Sequence, residues 1–246
     1  MKISSKNLKF TIGAIYLTIL FTGLYFLFST IDIRNLTNYE FIRLNKDLIL
    51  NYKNNNFILL TFSFFIFSII WVLMLGFGMP LLLFAGFVFG KWWGTFIIII
   101  STTIGATLLY LLASLFFRDI IEEKLSPKFS NLKAFFKKDE LLYFTIFRFV
   151  GGGGTPYGIQ NVLPVLFDMR VKNYILGTFF GSLPAMFVTV SLGSGIENVI
   201  DKNVNLSASK VISSPEIYLP IIGFFVILVV SFVIKKFFFK PNDEKK

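Results

Sequence analysis

Apolar residues run along this chain in long stretches, and the charges collect in short blocks between them. A helix rising 1.5 Å per residue needs about 20 apolar residues to cross a hydrocarbon core of ~30 Å. Five stretches approach or exceed that length, at residues 10–30, 57–75, 93–117, 174–192 and 217–234. They predict an all-α polytopic membrane protein with about five transmembrane helices. A soluble α/β fold does not fit, because no polar helices remain to cover the runs. The first run follows Lys2, Lys6 and Lys9 and superficially resembles a secretory signal. It exceeds the usual apolar signal region of about 7–15 residues and no A-x-A-like site follows, so it is expected to remain as an anchor. The chain divides into an anchor and polar connector over 1–56, a core over 57–200, and a last span with a basic tail over 201–246.

Two apolar stretches are too short or too interrupted to cross. The first is FGMPLLLFAGFVFGKWWG, from Phe77. Pro80 biases the residue before it away from helix, and Gly76, Gly78, Gly86 and Gly90 permit turns. A helix over 80–89 would rise only about 15 Å. The stretch therefore reads as a re-entrant segment that enters and leaves by one face; one long helix kinked between Gly76 and Gly90 is the other reading. Lys91, Trp92 and Trp93 mark headgroup depth after it. Ser101, Gly105 and Ala106 then suit close helix contact.

The second is RFVGGGGTPYGIQN, from Arg148. Residues 141–150 and 157–167 are each half-length, and Pro164 interrupts the latter. Around the glycines they predict a second re-entrant hairpin, opposed to the first. Backbone that leaves helical pairing at membrane depth is tolerated only inside protein or beside water. Gly151, Gly152, Gly153 and Gly154 can turn amide hydrogens toward a ligand, Pro156 fixes the turn, and the following half-helix offers its positive end to an anion. A charge in a membrane segment costs about 2.5–3.5 kcal/mol on insertion scales, so Arg148 must face a partner, water or an anion. Backbone carbonyls or Asp168 are the structural alternative. Gln160 and Asn161 either hold a headgroup or satisfy the broken backbone.

Residues 118–140 are polar, with Leu125, Phe129, Leu132, Phe135 and Phe136 at helical spacings, which predicts an interfacial amphipathic helix with Pro127 in its first turn. In the run from Tyr174, Gly177, Gly181 and Ala185 recur every four residues, and Pro184 is expected to kink the helix and free the carbonyl of Phe180. A proline-bearing half segment, an interface marker and a small-residue span thus occur twice, as in an inverted repeat around a midplane site.

Composition agrees with the pattern: 55% of residues are hydrophobic, 33 are Phe, and the mean hydropathy is +0.73. With no Cys and no His, disulfides, thiolate chemistry, His-based triads and zinc sites lack their residues; no metal site, no cofactor and no enzymatic activity are expected. The net charge of +10 flanks membrane segments and forms no face with aromatic readers, so it points to topology and anionic lipid, not nucleic acid. Both ends are basic and ask for the cytoplasmic side, yet five full crossings would separate them. The glycine run matches neither the phosphate loop nor the dinucleotide fingerprint.

AGFVFG from Ala85, GATLLYLLAS from Gly105, the stretch from Arg148 to Asn161, and NYILGTFFGSLPAMFVTVSLGSG from Asn173 together resemble the DedA-like superfamily, also called VTT-domain or SNARE-associated Golgi proteins. The match runs in order over about residues 57–200 and is closest to a bacterial branch near the yeast Tvp and human transmembrane relatives. The resemblance implies two facing membrane-embedded hairpins that move lipids or lipid-linked phosphates, with hairpin positions Pro80, Gly86, Gly90, Arg148, Pro156 and Asn161. Ser114 stands where members commonly have arginine, with Arg118 four residues on, and the proline usual shortly after the hairpin arginine is missing. Relatives proposed to be proton-coupled carry carboxylates around the hairpins; here only Asp168 is near, so passive exchange is the expected mode.

The functional expectation is a flippase- or scramblase-like lipid transporter in a bacterial plasma (inner) membrane. Its partners would be membrane lipids, anionic phospholipid or lipid phosphate, and it could form a homo-oligomer. Arg148, Gly151 to Gly154, Pro156, Gln160 and Asn161 would contact the headgroup, and Pro80, Gly86, Gly90, Pro164 and Asp168 would shape the hairpins. A non-transporting assembly or trafficking factor that docks through 118–140 is the alternative.

Overall fold

The computed structural model describes residues 47, 48, 50–75, 78–202 and 213–238, together with positions 11, 13–16, 18, 22, 23, 25 and 29. The described residues form helices and turns without strands. The elements are α1 (Phe57–Leu73), α2 (Gly78–Phe89), α3 (Lys91–Phe116), α4 (Arg118–Lys138), α5 (Glu140–Phe149), α6 (Tyr157–Val162), α7 (Val171–Lys202) and α8 (Pro215–Phe238). Three are long and apolar enough to cross a membrane: α3, α7 over Val171–Ile196, and α8. Most of the anchor and connector and the tail lysines after 238, with Gly76, lie outside the described residues.

The run at 57–75 is not among the three helices of crossing length. It ends as a 17-residue helix at Leu73, and the chain turns back through Met74 and Leu75, the latter with a left-handed φ of 57°. At its start, Phe57 meets the rings of Phe89 and Trp93 at 6.2 and 6.3 Å, so it lies level with the beginning of α3. Near its end, Ile69 and Val72 press on Gly105, 14 residues further along α3. α2 retraces that path, with Phe84 and Phe89 against Phe64, and Gly90 at φ 77° joins it to α3. α1 and α2 thus run antiparallel as the two limbs of one helical hairpin, and the turn at Met74 and Leu75, with its left-handed φ, ends the first limb. A hydropathy run cannot separate a helix that crosses from one that stops and returns, because both bury the same residue types.

The second hairpin enters from the other end. α5 runs parallel to α7, Phe144 against Gly177 and Arg148 against Gly181. Gly151–Gly154 form a single 3-10 turn, with φ of 66°, 65° and 90° at Gly151, Gly152 and Gly154, values a side chain resists. The chain then descends through α6 and a 3-10 segment, Leu163–Phe167, with Pro164 buried in its first turn. Where the two tips meet, Leu75 packs on Gly158. α7 is the common post: α2, α3, α5 and α8 all pack against it. Gly86 lets the backbone of α2 lie directly on the carbonyl of Val190, a spot 1.9 Å from where a Cβ would stand.

The expectation on Pro127 changes, while Pro184 is seen to stand within a helix. Pro127 is inside α4, not in its first turn, because the helix starts at Arg118, with Asp119 in its first turn and Arg118 bonding Glu122 one turn on. Pro184 sits inside α7, which continues as one helix through it. The apolar stripe of α4 is covered by protein: Phe136 is buried and stacks on Phe167 at 4.3 Å, and Leu125 and Phe129 join the same core. The side chain of Leu132 lies outside the described residues.

Candidate functional site

Arg148 sits in the last turn of α5 and is 4% exposed. Its Nη2 donates to Asn161 Oδ1 at 2.7 Å and to the Tyr174 hydroxyl at 3.0 Å. The guanidinium lies 5.0, 5.7 and 5.9 Å from the ring centres of Phe144, Tyr174 and Tyr157. An aromatic cage of this kind solvates a cation through ring quadrupoles without neutralising it. The Tyr174 hydroxyl lies 3.1 Å from the carbonyl oxygens of both Ala106 and Asn161, so it can donate to one of them while accepting from Arg148.

The cluster has more donors than acceptors. Arg148 Nε and Nη1, Asn161 Nδ2 and the Tyr157 hydroxyl are buried with no hydrogen-bond partner in the protein. Buried polar groups are paired in the great majority of proteins, so four orphans around one cation mark a place where acceptor oxygens are wanted. Chemically the site suits a phosphate or carboxylate, which brings several acceptors and a negative charge.

Asp168 does not supply that charge. It caps the 3-10 segment in a left-handed conformation, 69% exposed in its side chain, and pairs with Arg118. The hydrogen bonds that Arg118 donates to Asp168 and then to Glu122 push its guanidinium pKa above its ordinary value. Glu140 is likewise taken, by Arg170 Nε at 2.6 Å and Asn173 Nδ2 at 2.6 Å. These contacts tie the base of the second hairpin to α4 and α7, well away from its tip.

Gln160 serves the turn. Its Nε2 donates to the carbonyls of Gly151 at 3.1 Å and Thr155 at 2.7 Å, and its side chain lies over Gly152, where a Cβ would be 2.3 Å from Gln160 Cδ. Gly151 and Gly154 are exposed, as is Pro156, which precedes α6. α6 has only six residues, too few for a helix end to act as the anion-attracting element, so the positive charge at the tip is that of Arg148. Pro80 is an exposed residue in the first turn of α2, while Gly86 and Gly90 hold the contact and turn described above.

The cage was not readable as such: Tyr174 opens an apolar run and Tyr157 follows a glycine turn, and only the fold brings them to one guanidinium. The signal available was a tyrosine inside a span, whose hydroxyl needs a partner when buried. Tyr174→Phe removes the atom that links Arg148 to α3. The expected result is a loss of about 1–3 kcal/mol of stability, read as a lower melting temperature in detergent; unchanged melting would show that the hydroxyl is dispensable.

Residues 75–195 match the family model described as the VTT domain, a stretch that starts at the first tip and contains the whole Arg148 cluster. The chain is 27% identical over 174 residues to the Dictyostelium discoideum protein named Transmembrane protein 41 homolog, covering 66% of this chain and 49% of that one. It thus spans about half the length of this curated relative. No solved structure matches it. With three apolar helices of crossing length around this domain, the chain is a multi-pass membrane protein that belongs to the DedA-like, VTT-domain superfamily.

Proposed function

We propose that this protein lets the headgroup of a phospholipid or lipid-linked phosphate cross the bilayer between two re-entrant hairpins, α1–α2 from one face and α5–α6 from the other. The observation that carries this reading is Arg148, buried at the tip with two guanidinium nitrogens unbonded and no carboxylate bonded to it. In lipid such a charge is costly unless an anion or water reaches it. The acyl or prenyl chain would stay in lipid while the phosphate passes the tips. Neither hairpin traverses the membrane, so the pair shortens the apolar barrier from both sides. Asp168 and Glu140 are engaged in ion pairs and the chain has no His, which favours passive exchange over a proton relay and over enzymatic chemistry. The assembly-factor reading is weakened by α4, whose apolar residues Phe136, Leu125 and Phe129 face the core and are not offered to a partner. Reconstitution in vesicles with a fluorescent phospholipid tests the proposal: wild type must exceed empty vesicles in transbilayer rate.

The turn-back after Leu73 also bears on topology. With α1 a limb and the first apolar run a crossing, the full crossings number four, and both ends of the chain fall on the face that carries α4. That face then also takes Arg170, Lys172 and the lysines of both ends, in keeping with a positive inside. Because the chain has no cysteine, single introduced ones report cleanly. In sealed vesicles Ile3→Cys, Lys128→Cys and Asn242→Cys are expected to react with an impermeant maleimide from one side and Ser207→Cys from the other; Ile3→Cys and Asn242→Cys on opposite sides would refute the count.

A further inference from the structure

A threonine or serine inside a helix can always satisfy its hydroxyl on the carbonyl one turn earlier. Ser68, Thr95, Thr102, Thr107, Thr145 and Thr189 do so, donating to the carbonyl four residues back at 2.5–2.9 Å. Thr61, Thr103, Thr178 and Ser191 depart from the habit, each with a buried hydroxyl that has no partner. Thr61 and Ser191 are half-buried residues, whereas Thr103 and Thr178 are only 5% and 1% exposed.

Both of these buried threonines border the Arg148 cage. Thr178 follows Tyr174 by one turn of α7 and lies beside its hydroxyl without bonding it. Thr103 precedes by one turn of α3 the Ala106 carbonyl that the Tyr174 hydroxyl meets at 3.1 Å. It shares a face of α3 with Tyr110, two turns on, whose ring stacks on Tyr174 at 4.5 Å. The next contact between the two helices is Thr102 with Met186. Thr103 and Thr178 therefore extend the cage along α3 and α7, away from α4. An unpaired buried hydroxyl costs stability, and valine has the same shape without that cost. Two such hydroxyls beside a guanidinium with unbonded nitrogens call for an acceptor from outside the protein. A phosphate supplies several acceptor oxygens and the missing charge.

We infer that Thr103 and Thr178 bind the phosphate group that Arg148 draws in, donating to oxygens the guanidinium leaves free and taking the group on from the hairpin tip along α3 and α7. This rests on the phosphate passage proposed above and names the residues that receive the group next. Short-chain phosphatidic acid and inorganic phosphate are each titrated into detergent-solubilised protein, with melting temperature as the readout. The wild-type melting temperature is expected to rise with the lipid. In Thr103→Val and Thr178→Val the concentration at half the rise should increase about tenfold, the worth of one charge-assisted hydrogen bond. Without ligand both variants should melt at or above wild type, because an unpaired hydroxyl is gone and the shape is kept. Thr178→Ser, which retains the hydroxyl, should keep the wild-type midpoint. A rise with inorganic phosphate as well assigns the contact to the phosphate group itself; a rise with the lipid alone assigns it to a headgroup carried on its chain. Equal midpoints in wild type and both valine variants overturn the inference, and if those variants also melt lower without ligand, the hydroxyls hold an internal water only. No rise in wild type overturns it too. The expected titrations with vesicle rates no greater than empty ones remove transport and leave the phosphate site standing; transport with equal midpoints does the reverse.

Discussion

Arg148→Ala is expected to bring the transbilayer rate of reconstituted protein down to that of empty vesicles, and Arg148→Lys to restore only part of it. The guanidinium holds Asn161 and Tyr174 with one nitrogen and keeps Nε and Nη1 unbonded. A hydrogen bond to a charged group is worth about 1.5–3 kcal/mol, so losing two to a passing phosphate lowers the rate by roughly two orders of magnitude or more. Lysine keeps the charge but cannot bond Asn161 and a phosphate in one plane. Truncation also leaves Asn161 without its donor, so a fold check belongs beside the rate. Arg148→Gln, which retains one amide donor for Asn161, serves as the second variant. Folded Arg148→Gln protein with wild-type rates would make Arg148 a packing residue and withdraw the transport reading.

The second large effect concerns folding alone. Gly86→Ala places a Cβ 1.9 Å from the Val190 carbonyl oxygen and 2.8 Å from the Ser194 nitrogen, and both are backbone of α7. No side chain can swing aside, so α2 must leave α7, and the core around Ala85, Val88 and Val190 opens with it. A loss above about 4 kcal/mol is expected, of the kind only a few mechanisms produce. Heating followed by size-exclusion should show little or no monodisperse protein. Gly78→Ala is the control, since its nearest neighbour is the Leu82 methyl at 4.0 Å. If Gly86→Ala melts with wild type, the close approach of the two helices is wrong.

Much of this architecture could be read from residues alone, for identifiable reasons. The turn at 151–154 announces itself because a ten-residue helix stops at a glycine run, and the turn needs the positive φ values that glycine accepts readily. Arg148 stands out because a charge in an apolar run has few explanations. What failed depended on contacts distant in the chain. The run at 57–75 reads as a span, yet its helix stops at 17 residues, because hydropathy reports residue type and not the point where the chain turns. Asp168 looked like the partner of Arg148, but its left-handed cap turns it to Arg118, 50 residues earlier. Gln160, by contrast, follows the second of its two readings through local contacts, donating to the carbonyls of Gly151 and Thr155. The aromatic cage joins residues from α5, α6 and α7, and no spacing rule links them.

The ion pairs at the foot of the second hairpin carry a mechanical consequence. Arg118 with Asp168 and Arg170 with Glu140 clamp both legs at one end, and Arg148 on Tyr174, Gly181 under Arg148 and Ser231 on Phe149 pin the first leg almost to the turn. What is left unpinned is the outer edge of the arch, where Gly151 and Gly154 are exposed. A load on that edge therefore bends the glycines and leaves the pinned helices in place.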